Sequence, residues 1–290
     1  RNYDGNSLFK IASGASDYDY NWTKVLMDRV GGRMHGLSLH YYTVSGWNGS
    51  KGAATQFSKD DYYWTLGKCR EIEDVIKKHC TIMDDKDKKI ALLLDEWGTW
   101  WDTEPGTNPG HLYQQNTLRD AFVASLSFDI FHKYTDRLKM ANIAQIVNVL
   151  QSMILTSGKN MVLTYVFKMY NVHQDATYIP LELSCDMMDV RDNRRIPMVS
   201  ATASKDPNGK IHISMSNVDA DNAQEVTINL SGTKAKKAVG EILTSTNLTD
   251  YNSFENPDNV KPVPFKEVKI NKDILKIKLP AKSIVTIELQ

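Results

Sequence analysis

From Arg1 to about Asn171, short apolar runs alternate with long amphipathic segments, the pattern of βα units. Phe9 to Ala12, Leu37 to His40 and Ile90 to Leu94 read as strands. Between the last two, Leu66, Cys69, Ile72, Val75, Ile76 and His79 recur at helical spacing beside Lys and Glu, so Lys59 to Lys78 is predicted to form a helix crossing one face of a sheet. A second helix is expected from about Tyr113 to Tyr134, burying Leu118, Phe122, Leu126 and Ile130. A fourth strand is expected within Ala144 to Val149, although periodicity reads NIAQIVNVLQ equally well as helix. After Asn171 the texture changes to strict alternation: IHISMS at Ile211, VTINL at Val226, VKI at Val268, LKIKL at Leu275 and IVTIEL at Ile284. Such runs, separated by Asn, Asp, Gly and Pro turns, are strands with one wet face, and they predict a β-sandwich. The boundary falls between His173 and Pro180, dividing the chain into 1–173 and 174–290.

Composition narrows the function classes. With 290 residues and 41% hydrophobic content the chain can bury a sizeable core. Lys plus Arg and Asp plus Glu both number 35, so no net field argues for nucleic acid, an anionic membrane or a polyanionic substrate, and a neutral ligand fits. No apolar run approaches the ~18 residues of a membrane span, and the sequence opens at Arg1 without a signal-like segment, as a trimmed chain would. Cys69, Cys80 and Cys185 lack metal-ligand spacing and read as free thiols. Sequons at Asn21, Asn48, Asn229 and Asn247 are too short a signal to fix the compartment, which stays open between cytoplasm and a secreted or periplasmic location.

Candidate chemistry concentrates in ALLLDEWGTWW, Ala91 to Trp101. Four aliphatic residues read as a strand buried on both faces, and residues just past such a strand sit on the catalytic face of a (β/α) barrel. Glu96 is therefore the first catalytic candidate, and the rings of Trp97, Trp100 and Trp101 offer flat apolar surfaces to a sugar. Asp95, one residue earlier, is expected on the opposite face of the strand. His40 and Tyr42 share one side of the earlier strand SLHYY, with Tyr41 on the other. The loop Ser45 to Ser58, which contains Trp47, reads either as a wall of a substrate channel or as plain surface. DDKDKK, Asp84 to Lys89, reads as a solvated turn. A closed barrel needs eight strands in about 250 residues, whereas about four are legible here.

Five segments in one order carry a resemblance: SLHYYT at Ser38 to Thr43, LLLDEWGTWW at Leu92 to Trp101, MANIAQIVNVLQ at Met140 to Gln151, VFKMYNVHQDA at Val166 to Ala176 and NSFENPDNVKP at Asn252 to Pro262. From about Gly14 to its end the chain resembles the α-L-arabinofuranosidases of glycoside hydrolase family 51. The resemblance implies an α/β plus all-β fold: the second half of a (β/α)8 TIM barrel, strands five to eight, followed by a jelly-roll-type β-sandwich. It further implies a retaining, exo-acting hydrolase that releases terminal α-L-arabinofuranosyl residues from arabinan, arabinoxylan or their oligosaccharides. Glu96 takes the nucleophile's position and Tyr42 that of the tyrosine that orients it, with Tyr41 as a possible substitute. Trp100 takes the position of a sugar-walling tryptophan and Gln145 that of a glutamine bonding a sugar hydroxyl, with Asn148 a weaker candidate. His40 is grouped with the substrate-binding residues, and His173 and Asp175 read as structural.

The family's acid/base glutamate lies in an Asn-Glu pair after strand four, and this sequence contains no such pair. Retaining hydrolysis needs two carboxyl groups roughly 5 to 5.5 Å apart, so the resemblance implies that the second comes from a missing N-terminal half of the barrel, upstream of Arg1 or on a separate chain. Association with that half, or self-association, is expected of an open half barrel. No metal or organic cofactor is implied. Two other readings stay open: a non-catalytic carbohydrate-binding or scaffolding fragment, and another retaining glycosidase of the same clan.

Overall fold

The computed structural model describes residues 8–233 and 235–290; the first residues of the expected 1–173 unit lie outside the described residues. The N-terminal region builds β1 (Ile11–Ser16), α1 (Tyr20–Val30), β2 (Gly36–Thr43), α2 (Lys59–Asp84), β3 (Ala91–Thr99), α3 (Leu118–Lys133) and β4 (Leu138–Ile143). The four strands form one parallel sheet in the order β1-β2-β3-β4. Both outer strands pair on one side only among the described residues, the open-edge geometry of a partial barrel. A short hairpin, β5 (Ile154–Ser157) with β6 (Asn160–Leu163), and a single-turn helix α4 (Val166–Tyr170) close this region.

The helices follow from local sequence. Ser58 and Asp61 form a reciprocal capping box at the start of α2, and the expected stripe from Leu66 to His79 is buried against the sheet. This helix runs to Asp84, so the first residue of the charged run belongs to its last turn. α3 starts at Leu118 rather than near Tyr113, because Thr117 and Asp120 form its capping box. Residues 112–116 instead run as a loop whose Gln114 and Asn116 side chains bond to Trp101 N and Ser152 O.

Two strand expectations are corrected. The first strand starts at Ile11 and continues through GAS to Ser16; at Gly14 the Ser38 carbonyl occupies the space a Cβ would need. The fourth strand is Leu138–Ile143, not within Ala144 to Val149. As an edge strand it exposes Lys139 and Met140, and it lacks the continuous apolar run that marks its neighbours. Residues 144–150 are neither strand nor helix: Asn148 and Leu150 have positive φ, and the Asn148 side chain bonds to Thr156.

Beyond α4 lie β7 (Thr177–Ile179), the hairpin β8 (Met187–Val190) with β9 (Arg194–Pro197), β10 (Val199–Lys205), β11 (Ile211–Asn217), β12 (Gln224–Asn229), β13 (Ala238–Thr244), β14 (Val263–Phe265), β15 (Val268–Asn271), β16 (Ile274–Leu279) and β17 (Ser283–Leu289). A six-stranded antiparallel sheet, β14-β13-β17-β11-β10-β7, faces a three-stranded one, β12-β16-β15. Ile213, Met215, Val285 and Ile287 from the first meet Leu275, Ile277 and Leu279 from the second in a common core. β12 and β16 have the expected wet face, with Glu225, Lys276 and Lys278 exposed. β10 and β11 do not. Their polar faces are covered by α3 and the turn after α4, through Ser216 to Ser125 (2.9 Å) and His173 between Ser204 and Ser214 (2.7 and 2.8 Å). Small hydroxyls keep the strict alternation while allowing burial on both sides. Among the described residues no helix is long and apolar enough to cross a membrane.

This covered face holds an unusual set of titratable groups. Burial pulls His132, bonded to Thr202 Oγ1 at 2.9 Å, down to about 4. Burial, helped by His132 and His212, pulls His173 down to about 3. Burial pushes the Asp129 carboxyl up to about 7, against hydrogen bonds from Ser200 (2.6 Å) and Tyr170 (3.0 Å) that hold it lower. As pH falls from about 6.5 to about 4, the unfolded chain binds two histidine protons that the folded one refuses, so stability is lost. Asp129 acts oppositely: folded, it keeps a proton that the unfolded chain releases near 3.8, so its contribution declines as pH rises toward 7. Two histidines outweigh one carboxyl. The fall in Tm between about pH 6.5 and 4.5 should therefore steepen in Asp129→Asn and flatten in the double variant His132→Gln/His173→Gln. Equal slopes in all three proteins would contradict this assignment.

Candidate active site

β2 and β3 run in register from Gly36 opposite Ala91 to Leu39 opposite Leu94, but the next pair is His40 opposite Glu96. Asp95 is thus an extra residue in β3, a β-bulge, and it shifts the phase of everything after it. Leu92 and Leu94 point into the core beneath the helices. Unbroken alternation would send Glu96 the same way and turn Trp97 outward. With the bulge, Trp97 enters the core, 1% exposed and edge-on to Phe128 and Phe131. Glu96 emerges on the opposite face beside His40 and Tyr42.

The Tyr42 hydroxyl donates to Glu96 Oε2 at 2.8 Å. Burial, then the bond to Glu96, raises this phenol far above its ordinary pKa, so it stays a donor throughout the working pH range. His40 Nδ1 lies 3.4 Å from the same carboxylate oxygen. Tyr41 points the other way, its hydroxyl bonded to Lys68 O at 2.6 Å beneath α2. Asp95, expected on the far face, instead brings Oδ1 to 3.2 Å from His40 Nε2, because a bulge suspends alternation. That contact is close but not aligned as a hydrogen bond, and Oδ1 is buried with no other partner.

Aromatic rings wall this carboxylate. Tyr42, Trp47 and Trp100 meet edge to face with centroids 5.1 to 6.2 Å apart. Trp47 is half exposed and comes from the loop after β2. Of the three tryptophans after Glu96, only Trp100 faces the site. Trp101 is buried, its ring 3.7 Å from the Arg119 guanidinium, which also stacks on Phe57. Arg119 donates to Ala53 O and Ala54 O, holding the Trp47 loop down, and burial pulls its pKa to about 10. The same loop is tied by Ser50 and Lys51 N to Asp102.

The segment after Glu96 is anchored from below by Asp120. One carboxylate oxygen accepts from Thr99 Oγ1 (2.6 Å) and Trp101 Nε1 (2.9 Å), the other from Thr117 N and Oγ1 (2.8 and 3.0 Å). Gln151 bridges Asp120 O and Thr99 N. Between them Gly98 has φ +135°, with Gln151 and Ile143 packed where a side chain would start. Sequence reasoning missed Asp120 and Arg119, although the T-x-x-D signature at Thr117 was a legible cue for the first.

No hydrogen bond joins Gln145 to Glu96 among the described residues. Gln145 follows Ala144, which bonds to Trp97 O and packs with Tyr42, and its exposed side chain lines a neighbouring cavity of about 640 Å3. Asn148 also lines that cavity, with its amide engaged by Thr156. Among the described residues no cluster of three His, Cys, Asp or Glu side chains is arranged to hold a metal ion.

Comparison with known proteins agrees with this architecture. The family profile described as the α-L-arabinofuranosidase C-terminal domain matches residues 95–283. An intracellular exo-α-L-arabinofuranosidase of Bacteroides ovatus is 80% identical over 295 residues, covering 100% of this chain and 57% of that protein. The crystal structure of the glycoside hydrolase family 51 arabinofuranosidase from Xanthomonas axonopodis pv. citri superposes with a TM-score of 0.96 at 43% identity, covering 100% of this chain and 60% of that one. The α-L-arabinofuranosidase of Thermotoga maritima, solved as an arabinose complex, shares the fold at 23% identity and a TM-score of 0.76, over 96% of this chain and 57% of its own. The chain thus spans somewhat more than half the length of these relatives.

Replacing Asp120 by Ala removes a helix cap and strands four buried donors. The change should cost about 3 kcal/mol of stability, read as a lower urea midpoint, with red-shifted tryptophan emission as Trp101 becomes hydrated. An unchanged midpoint would show that this carboxylate does not anchor the segment.

Proposed function

Because the chain belongs to the α-L-arabinofuranosidases of glycoside hydrolase family 51, we propose that it supplies the nucleophile of a retaining, exo-acting α-L-arabinofuranosidase. Glu96 is the attacking carboxylate. The observation that carries this reading is the 2.8 Å bond from the Tyr42 hydroxyl to Glu96 Oε2 at the end of a parallel strand, with the Tyr42 ring edge to face against Trp47 and Trp100. An attacking carboxylate must be ionised and held still. Tyr42 holds one oxygen, His40 stands beside the same oxygen, and the nearly half-exposed side chain leaves the other free for the anomeric carbon.

Attack by Glu96 forms a glycosyl ester as the bond to the leaving oxygen breaks, and a second carboxyl group must protonate that oxygen. We assign that group to polypeptide beyond this chain, which would pair with the open edges of β1 and β4. Water, activated by the same group, then attacks the ester and regenerates Glu96. Trp100 walls the arabinose site and Gln145 bonds a sugar hydroxyl. The division into 1–173, contributing the site, and 174–290, buttressing α3 from below, is part of the same proposal. Following the name of the Bacteroides ovatus relative, the substrates are arabinofuranose-bearing oligosaccharides met inside the cell.

The test requires the protein carrying the upstream half that its relatives possess, assayed on an aryl arabinofuranoside. Glu96→Ala should lower kcat/KM by about 10^4-fold or more. Tyr42→Phe, which deletes one bond to a charged group, should lower it about 10- to 100-fold. Near-parental turnover by Glu96→Ala rules the nucleophile assignment out.

A further inference from the structure

Asp17 has no role in the steps above, yet it follows β1 at the same end of the parallel sheet from which Tyr42 and Glu96 emerge. The register of β1 on β2 ends with Ser16 opposite His40. Asp17 N still bonds to His40 O at 2.9 Å, and a φ of 50° then turns the chain out of the strand. Asp and Asn tolerate this left-handed conformation better than most side chains. The turn sends the Asp17 carbonyl away from β2 to His79 Nε2 on α2, at 3.0 Å. A carbonyl only accepts, so Nε2 carries the proton, and Nδ1 takes its bond from the Thr23 hydroxyl at 2.8 Å. Burial holds this imidazole below its ordinary pKa, so it pins Asp17 as a neutral ring.

With that carbonyl turned away, the Tyr42 N–H on the β1 side of β2 loses the acceptor that a continued strand would offer. The Asp17 carboxylate takes its place. It accepts from the Tyr42 N–H and from the Trp47 indole, beside the Ser16 hydroxyl and with Lys68 as the nearby cation. Burial raises this carboxyl above its ordinary value, against the pull of Lys68 and of those donors. Trp47 needs such a hold. The bonds that tie its loop to Asp102 and Arg119 fall on residues 50–54, whereas residues 45–49 make no backbone hydrogen bond among the described residues. Its ring is half exposed, so contact with Tyr42 and Trp100 covers only part of it.

We propose that Asp17 is a positioning residue of the Glu96 site, setting Tyr42 through its backbone amide and Trp47 through its indole. The proposal rests on the hydrolase reading and adds a residue to it. Asp17 acts through two neighbours with different duties. The alignment of Tyr42 decides how the nucleophile is held and is read in kcat, while the placement of Trp47 decides the sugar wall and is read mainly in KM.

The experiment measures kcat and KM of the full-length enzyme on an aryl arabinofuranoside, in parallel with acrylamide quenching of tryptophan emission. Asp17→Gly accepts the left-handed turn and removes the carboxylate. It should lower kcat about tenfold and raise KM about threefold, with quenching increased as the Trp47 ring comes loose. In the Trp47→Phe background the same change should still lower kcat but leave KM and quenching where Trp47→Phe alone puts them. Asp17→Asn, which keeps an acceptor oxygen and suits the turn, should stay within about threefold of the parent. Parental kcat, KM and quenching in Asp17→Gly overturn the proposal, as do KM and quenching effects that persist undiminished without the Trp47 indole. A parent enzyme inactive on this substrate would instead sink the hydrolase reading, while the quenching comparison, which needs no turnover, still tests the hold on Trp47.

Discussion

One extra residue in one strand decides what this molecule presents at the candidate site. Without the bulge at Asp95, the two-residue period of β3 would bury Glu96 among Phe128, Phe131 and Phe167 and turn Trp97 outward. An uncompensated carboxylate in that core would be prohibitively unfavourable, and an exposed indole would leave the core unfilled. The bulge places both side chains at once, with Trp97 Nε1 left buried and without a hydrogen-bond partner among the described residues. It also explains why Asp95 and Glu96 reach the two nitrogens of one imidazole, an arrangement that regular strand geometry forbids.

A bulge interrupts pairing, so the backbone around it needs support from elsewhere. That support comes from the N-terminal cap of α3. Asp120 uses its two oxygens to start the helix and to hold Thr99 and Trp101, and Arg119, sandwiched between Phe57 and Trp101, pins the loop that carries Trp47. The opposite side of α3 is held through Ser125, Asp129 and His132 to the hydroxyl-lined faces of β10 and β11. The β-rich region therefore supports α3 at its cap and along its flank, and α3 in turn holds the candidate site. Its polar side of small residues permits close approach, at the expense of sensitivity to acid.

How much of this was legible in the sequence follows from what each signal measures. Buried strands with uniform apolar runs, such as Leu92 to Leu94, and long amphipathic helices, such as α2, were visible because burial sets their pattern. The edge strand Leu138–Ile143 was not, since an unpaired side exposes Lys139 and Met140, and the more apolar loop after it drew the assignment instead. The serine-rich face of β11 looked solvated because small polar residues alternate identically whether they meet water or another hydroxyl. At the candidate site, His40, Tyr42, Glu96 and Trp100 were legible and lie together, whereas Gln145 borders the adjoining cavity. The bulge, Asp95 on the site face, and the burial of Trp97 and Trp101 were hidden, because a register shift has no signature in one strand read alone.

The central claim is that the bulge delivers the Glu96 carboxylate to an anomeric carbon as a nucleophile. Peptide mapping by mass spectrometry, after reaction of the full-length protein with a slow-turnover fluorinated arabinofuranosyl donor, addresses it directly. The account predicts one stoichiometric adduct, on the peptide containing Glu96, formed with release of the leaving group. An adduct on any other carboxylate, or full turnover with inversion of anomeric configuration and no adduct, would contradict it.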